Sequence, residues 1–255
     1  MEITIIWMYI GFLLAAYSVI ANDSIQTLGT FLASNKEHFS WYTLWIAASI
    51  MMVFTISYGW VNYNGDIAYG RLTRIPFQEV QWYHAAAPAV LLLLTRKGVP
   101  VSTTFLVLSA FASFTVLEKM LMKSIVGYGV AALAAYLIWV VLERYINEKK
   151  DHPEHIKFWR VGQWVTSGWL WFAWLQHDMA NIAVFLPRQL ALGDLMMVLF
   201  STVAILGYVF YTGGGRIQEV VINKHGTRFA RSSTIINLVY AFILYFFKEL
   251  NDLPM

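Results

Sequence analysis

Residues 18–30 read SVIANDSIQTLGT, and the fold turns on how Asp23 is read within them. The run before it, 3–21, carries no charge and is long enough to cross about 30 Å of hydrocarbon, which takes roughly 20 residues of helix. An ionised carboxylate at the end of such a run costs several kcal/mol unless it is paired or hydrated. Asp23 therefore needs a partner. Capping of a following helix by Asn22-Asp23 at the membrane interface is the plain alternative.

A second stretch, LQHDMAN (175–181), repeats the pattern inside the apolar run 161–187. Asp178 stands there with Asn181 three residues on, as Gln26 stands three after Asp23. Asp23 also precedes Pro100 by nearly the interval at which Asp178 precedes Pro254. Two independent markers share one offset, which predicts an internal repeat.

Composition sets the class. The chain has 255 residues, of which 58% are hydrophobic and only 13% charged, and a mean hydropathy of +0.56. Soluble domains carry about 25% charged residues, so this is an integral membrane protein. The net charge of +3 does not point to nucleic acid, because Lys and Arg lie in short loops between apolar spans and not in a basic patch. With no cysteine, disulfides and thiolate metal sites are excluded. The N-terminus lacks the basic start and small-residue cleavage site of a signal peptide and reads as a retained span.

The expected fold is all-α: a polytopic membrane protein with two inverted-topology repeats, broken helices and re-entrant helical hairpins. The first repeat, 1–142, holds spans 3–21 and 41–61, a hairpin 80–117 and a span 124–142. A cytoplasmic linker, 143–160, follows. The second repeat, 161–255, is incomplete, with spans 161–187 and 195–215 and half a hairpin at 232–255. The span 161–187 is expected to break at His177-Asp178, and the ascending arm of the first hairpin to start a helix at Pro100. Three crossings in the first unit, an odd number, invert the second. Short interrupted segments in matching halves point to a transporter's binding site. The chain is expected to continue past Met255, with the rest of the second hairpin. Ten Lys and Arg on one face against five on the other make the first face cytoplasmic and put the N-terminus outside.

Carboxylates, amide oxygens and freed carbonyls are hard ligands that suit Na⁺. Asp23, Asp178 and Gln26 are the candidates for cation coupling. Asn22 and Asn181, with Ser102, Thr103 and Thr104 of GVPVSTT (98–104), are the candidates for substrate binding. Hydroxyls at a helix start suit a tetrahedral oxyanion. The stretches IANDSIQTLGT, GVPVSTT, LQHDMANIAVFLP, GGGRIQEVVINKHGTRF and LNDLPM together resemble the inorganic phosphate transporter (PiT) family, which includes some sulfate permeases. The resemblance implies two inverted repeats. It also implies a cation-coupling role for Asn22, Asp23, Asp178 and Asn181, and anion-holding hydroxyls at Ser102, Thr103 and Thr104. The sequence departs from the family at Ile20, His177 and Phe105 and lacks the second Ser-Thr-Thr.

The implied function is secondary transport of inorganic phosphate, or sulfate, coupled to Na⁺ or H⁺, across a plasma (inner) membrane. No catalytic residue, resident metal or cofactor is implied, and a homo-oligomer is compatible with the sequence. Two other classes compete: a membrane enzyme using Asp23, His84 or His177 with Ser102 as nucleophile, and a non-transporting scaffold. His152, Glu154 and His155 read as a solvated linker and not a metal site. TGGGR (212–216) reads as a flexible turn. Gly65-Asp66 lacks the pattern of intramembrane aspartyl proteases. No P-loop or familiar hydrolase motif is present.

Overall fold

The structure, a computed structural model, describes residues 2–99, 101–146, 155–214, 218 and 229–249. All regular structure among them is helical. Helix α1 (Glu2–Val19) passes through a π-helical turn (Ile20–Ser24) directly into α2 (Ile25–Asn35). Then come α3 (Trp41–Asn62), a 3₁₀ turn (Trp82–Ala85), α4 (Ala86–Arg96), α5 (Thr103–Leu108) and α6 (Phe114–Ile146). The second half holds α7 (Ile156–Ala183), α8 (Leu192–Tyr211) and α9 (Ala230–Glu249).

Among the described residues, three segments are long and apolar enough to cross a membrane: Ile3–Asn35, Trp41–Asn62 and Leu192–Tyr211. Their outward faces fit lipid. Along α3, Tyr42, Ile46, Ile50, Phe54, Tyr58 and Val61 are all exposed, a row at helical spacing that water would not tolerate as a continuous patch. Helix α7, with 28 residues, is longer than α3 or α8 but carries more polar side chains, and it touches α1, α2, α3, α5 and α9.

Close approach rests on small residues, as expected where lipid supplies no hydrophobic drive between helices. A Cβ on Gly11 of α1 would lie 2.3 Å from the Phe185 ring. Ala15, Ala16 and Ala48 are buried in the same core. Trp45 of α3 reaches α8, where its indole donates to the Val203 carbonyl at 3.0 Å.

Several boundaries differ from expectation. The first span does not end at residue 21 but continues as helix to Asn35. Helix α7 shows no break at His177-Asp178: it is regular from Ile156 to Ala183, because neither residue removes a backbone donor as proline would, and kinks need such a cause. The second arm of the first hairpin is only the six-residue α5, capped by Ser102, and residues from Phe114 onward belong to α6. Pro100 lies outside the described residues, but the helix it was expected to open starts at Thr103. The linker 143–160 is shorter than expected, since α6 runs to Ile146 and α7 starts at Ile156. Of the half hairpin expected at 232–255, the described part is the 20-residue α9, which starts earlier, at Ala230, and runs to Glu249. Pro254, His152, Glu154 and most of GGGRIQEVVINKHGTRF lie outside the described residues.

The loop 63–81 is folded tightly against the core. Gly65, at φ +88°, accepts a hydrogen bond from the Leu190 N–H at 3.0 Å. A side chain there would meet the Leu190 backbone at 3.1 Å, so glycine is required twice over. Asp66 ties the next turn by accepting from the Ala68 and Gly70 amides at 2.7 and 2.8 Å. Ile67, Ala68 and Leu72 are buried as a result.

Candidate functional site

Helices α1–α2 and α7 cross antiparallel. Gly11 meets Phe185 at one end, Asp23 meets Asp178 in the middle, and Asn35 meets Gln163 at the other end. The crossing places the two sequence-predicted carboxylates together. Asp23 is 3% exposed and Asp178 5%, deep in an apolar helical core.

Local backbone geometry explains which neighbours join them. In a regular α-helix, adjacent residues point about 100° apart and do not share a face, whereas residues three apart do. Asp178 and Asn181 are three apart, so the regular turn of α7 presents both. Asn22 and Asp23 are adjacent. The π-helical turn widens the helix at that point, and Asn22, Asp23 and Ser24 are all buried.

The hydrogen bonds form a connected set. The Asn22 amide donates to Asp23 Oδ1 at 2.7 Å and to the Val101 carbonyl at 3.2 Å. The Asn181 amide donates to Thr103 Oγ1 and Thr104 Oγ1, both at 3.2 Å. The Thr103 hydroxyl hydrogen-bonds the Asp23 carboxylate in turn. Thus each asparagine holds one side of the α4–α5 connection, and the tip of the hairpin is clamped between the two crossing helices.

Four oxygens are left over. Asn22 Oδ1, Asp23 Oδ2, Asp178 Oδ2 and Asn181 Oδ1 are buried and accept no hydrogen bond. Buried acceptors without donors are uncommon and costly, and two adjacent carboxylates repel unless a proton or a cation lies between them. An all-oxygen set with two formal negative charges suits a hard monovalent or divalent cation.

Two predicted residues are not brought to this cluster. Gln26 is exposed on the outside of α2, and Ser102 is exposed and accepts from the Phe105 amide at 3.4 Å as the N-cap of α5. The symmetry argument that paired Gln26 with Asn181 assumed one helix geometry for both halves. With the π-turn, the counterpart of Asn181 is Asn22. Capping by Asn22-Asp23, the plain alternative, does not occur: the helix continues without a side-chain cap.

Arg71 was not singled out from sequence. It comes from the tightly folded loop 63–81 and interacts electrostatically with Asp178, while burial lowers its pKa to about 10, which leaves it charged at neutral pH. No local motif marks it; only the turn of Asp66 through Gly70 aims it inward. Of the residues in the enzyme reading, Asp23 lies in the cluster, Ser102 caps α5 and His84 is held apart from them. His84 accepts from the Gln81 amide at 2.9 Å and stacks on Phe111 with centroids 4.3 Å apart.

No protein-family model, curated protein or solved structure matches the chain.

Proposed function

We propose that the chain is a secondary transporter that moves a small inorganic oxyanion, phosphate before sulfate, with a coupling Na⁺ or H⁺, by alternating access. The observation that carries this reading is the meeting of Asp23, Asp178, Asn22 and Asn181 with Thr103 and Thr104 at one buried point of a helix crossing, with four acceptor oxygens unsatisfied. The cation or proton sits among these oxygens and offsets the charge of the anion. Thr104, whose hydroxyl accepts from Asn181, and Thr103 supply the hydroxyl contacts to the anion, and Arg71 adds a positive charge near Asp178.

Packing supports the two-repeat reading. Helix α1 packs on α4 as α7 packs on α9, and α1 on α8 as α7 on α3, so the partners exchange when the two halves are interchanged. Helix α4, with 11 residues, spans only about 16 Å at 1.5 Å per residue and turns back through α5, in keeping with a re-entrant hairpin. The rocking element would be one repeat against the other around the buried pair. The charge bias of the loops favours an inner-membrane protein with the Arg160 end cytoplasmic and the N-terminus outside. The resemblance to the PiT family agrees with this assignment at Asn22, Asp23, Thr103, Thr104, Asp178 and Asn181.

The test is uptake of ³²P-phosphate into vesicles containing the purified protein, driven in turn by a sodium gradient and a proton gradient, with sulfate as competitor. Uptake that follows one gradient and is blocked by excess unlabelled phosphate supports the reading. Absence of gradient-driven accumulation of either anion removes it.

A further inference from the structure

The crossing of α1–α2 with α7 differs on its two sides. From the carboxylates toward Gly11 the buried residues are mostly apolar, Phe12, Ala15, Ala16, Val19 and Phe185, and the one buried hydroxyl of α1 there, Ser18, donates to its own helix at Leu14 and bridges nothing. Toward Asn35 it is a file of buried polar side chains. Thr30 donates to Asn237 of α9 at 3.2 Å, and Asn237 donates to Ser167 of α7 at 2.8 Å. One turn further, Gln163 donates to Ser34, and Asn35 donates back to Gln163 at 2.8 Å. At the end, Arg160 and the Trp164 indole both donate to Asn35 Oδ1 at 3.2 Å. Trp164 is wedged edge-on between Phe31 and Phe39, with centroids 5.1 and 5.2 Å away. Asn35 and Gln163 are wholly buried.

Apolar and polar seams respond differently to opening. Separating an apolar seam exposes carbon to water at about 25 cal/mol per Å². Separating hydrogen-bonded amides and hydroxyls exchanges protein partners for water at a net cost of only about 1 kcal/mol per bond. A polar seam leading from a buried carboxylate pair to one surface is therefore the side on which water can enter at low cost. The amide pair at its end is also the last barrier before that surface.

Resting on the transport reading above, we propose that this seam is the inner gate of the protein, held shut by a latch in which Asn35 and Gln163 bridge α2 and α7 and Arg160 and Trp164 position Asn35. Opening the latch hydrates the file Ser34, Thr30 and Ser167 and connects the carboxylate pair to the Arg160 side.

The chain contains no cysteine, which permits a clean accessibility test. Thr27, buried one turn from Asp23 toward the seam, is replaced by cysteine as a reporter, and a membrane-impermeant maleimide is applied to each face of sealed vesicles. The latch predicts slow labelling in this background. Adding Gln163→Leu, which removes the two bonds that Gln163 makes across the seam, raises the rate from the Arg160 face about tenfold. Adding Trp164→Phe, which keeps the ring and removes one donor, raises it about threefold. Trp164→Phe decides alone if Gln163→Leu does not insert. Rates within twofold of background in the variants that insert, rapid labelling of the latched background itself, or a rise only from the opposite face would each overturn the gate. The readout needs no transport, so failed phosphate uptake with a working latch would remove the substrate reading and leave the gate.

Discussion

Asp23 and Asp178 meet at one helix crossing, yet their backbones differ: a π-helical turn at Asp23 and a regular α-helix at Asp178. The difference follows from which residue partners each carboxylate. An asparagine three residues away shares the face of an ordinary helix, whereas an adjacent asparagine shares it only if the helix is locally widened. The same chemical group, a carboxylate beside an amide, is thus built by two backbone routes. A π-turn costs local hydrogen-bond geometry and is retained mostly where function uses it, which makes the Asp23 side the more specialised of the two.

The sharpest way to break this equivalence is to neutralise each carboxylate separately. Asp23→Asn and Asp178→Asn each keep side-chain shape and remove one charge from the proposed cation site, whose affinity would depend on charge count. Coupled phosphate uptake is expected to fall at least about 100-fold in both, with normal insertion and unchanged elution on size exclusion. Retention of more than a tenth of the activity by either one would show that the halves are not equivalent and that only one carboxylate couples.

The amides come next. Asn22→Ala and Asn181→Ala each release the hairpin tip from one helix and remove an acceptor, and a rise of about tenfold in the sodium or proton concentration for half-maximal uptake is expected. Gln26→Ala should leave it within about twofold, because Gln26 is exposed. An effect of Gln26→Ala as large as that of Asn22→Ala would restore the simple offset pairing and discard the π-turn explanation.

Arg71 sharpens the comparison from the other direction, since its charge acts on Asp178. Arg71→Gln should weaken apparent phosphate affinity about fivefold, the order of a partly screened charge interaction, and Arg71→Lys should recover most of the loss. If glutamine and lysine variants behave alike, the charge is not what Arg71 contributes.

Much of this arrangement was legible in the sequence, and the reasons for the rest are physical. The spans expected at 41–61 and 195–215 from uncharged apolar runs correspond to α3 and α8, and the carboxylates were marked by the energetic anomaly of charge in such runs. The asparagines and threonines followed from repeated spacing and resemblance. Helix continuity was misread at both aspartates, because polar side chains at mid-membrane signal chemistry and not a backbone break; only proline, glycine pairs or inserted residues force one. Arg71 was invisible because its position depends on a loop whose turns are set by Asn64, Gly65, Tyr69 and Gly70 at positive φ. No periodicity reports where such a loop delivers a side chain. The polar seam at Asn35 and Gln163 was missed for a related reason. Each residue looks ordinary alone, and they meet only through an antiparallel crossing between residues 35 and 163.

The smallest expected effect concerns the hydroxyl triplet, whose three members the sequence treated as one unit. The structure separates them: Thr103 is buried against Asp23, Thr104 contacts Asn181, and Ser102 is exposed with its oxygen on the Phe105 amide. A long N-cap contact of 3.4 Å on a six-residue helix stabilises weakly. Ser102→Ala is therefore expected to lower stability by no more than about 1 kcal/mol and to leave phosphate affinity within about twofold. Thr103→Val, which keeps the volume and removes the hydroxyl between Asn181 and Asp23, should weaken affinity about tenfold with little change in stability, because the loss falls on a bond to a charged group. Binding measured by isothermal calorimetry, alongside thermal unfolding in the same detergent, separates the two. If Ser102→Ala costs as much affinity as Thr103→Val, the hairpin tip must rotate on binding to bring Ser102 inward, and the clamp by Asn22 and Asn181 describes only the unliganded state.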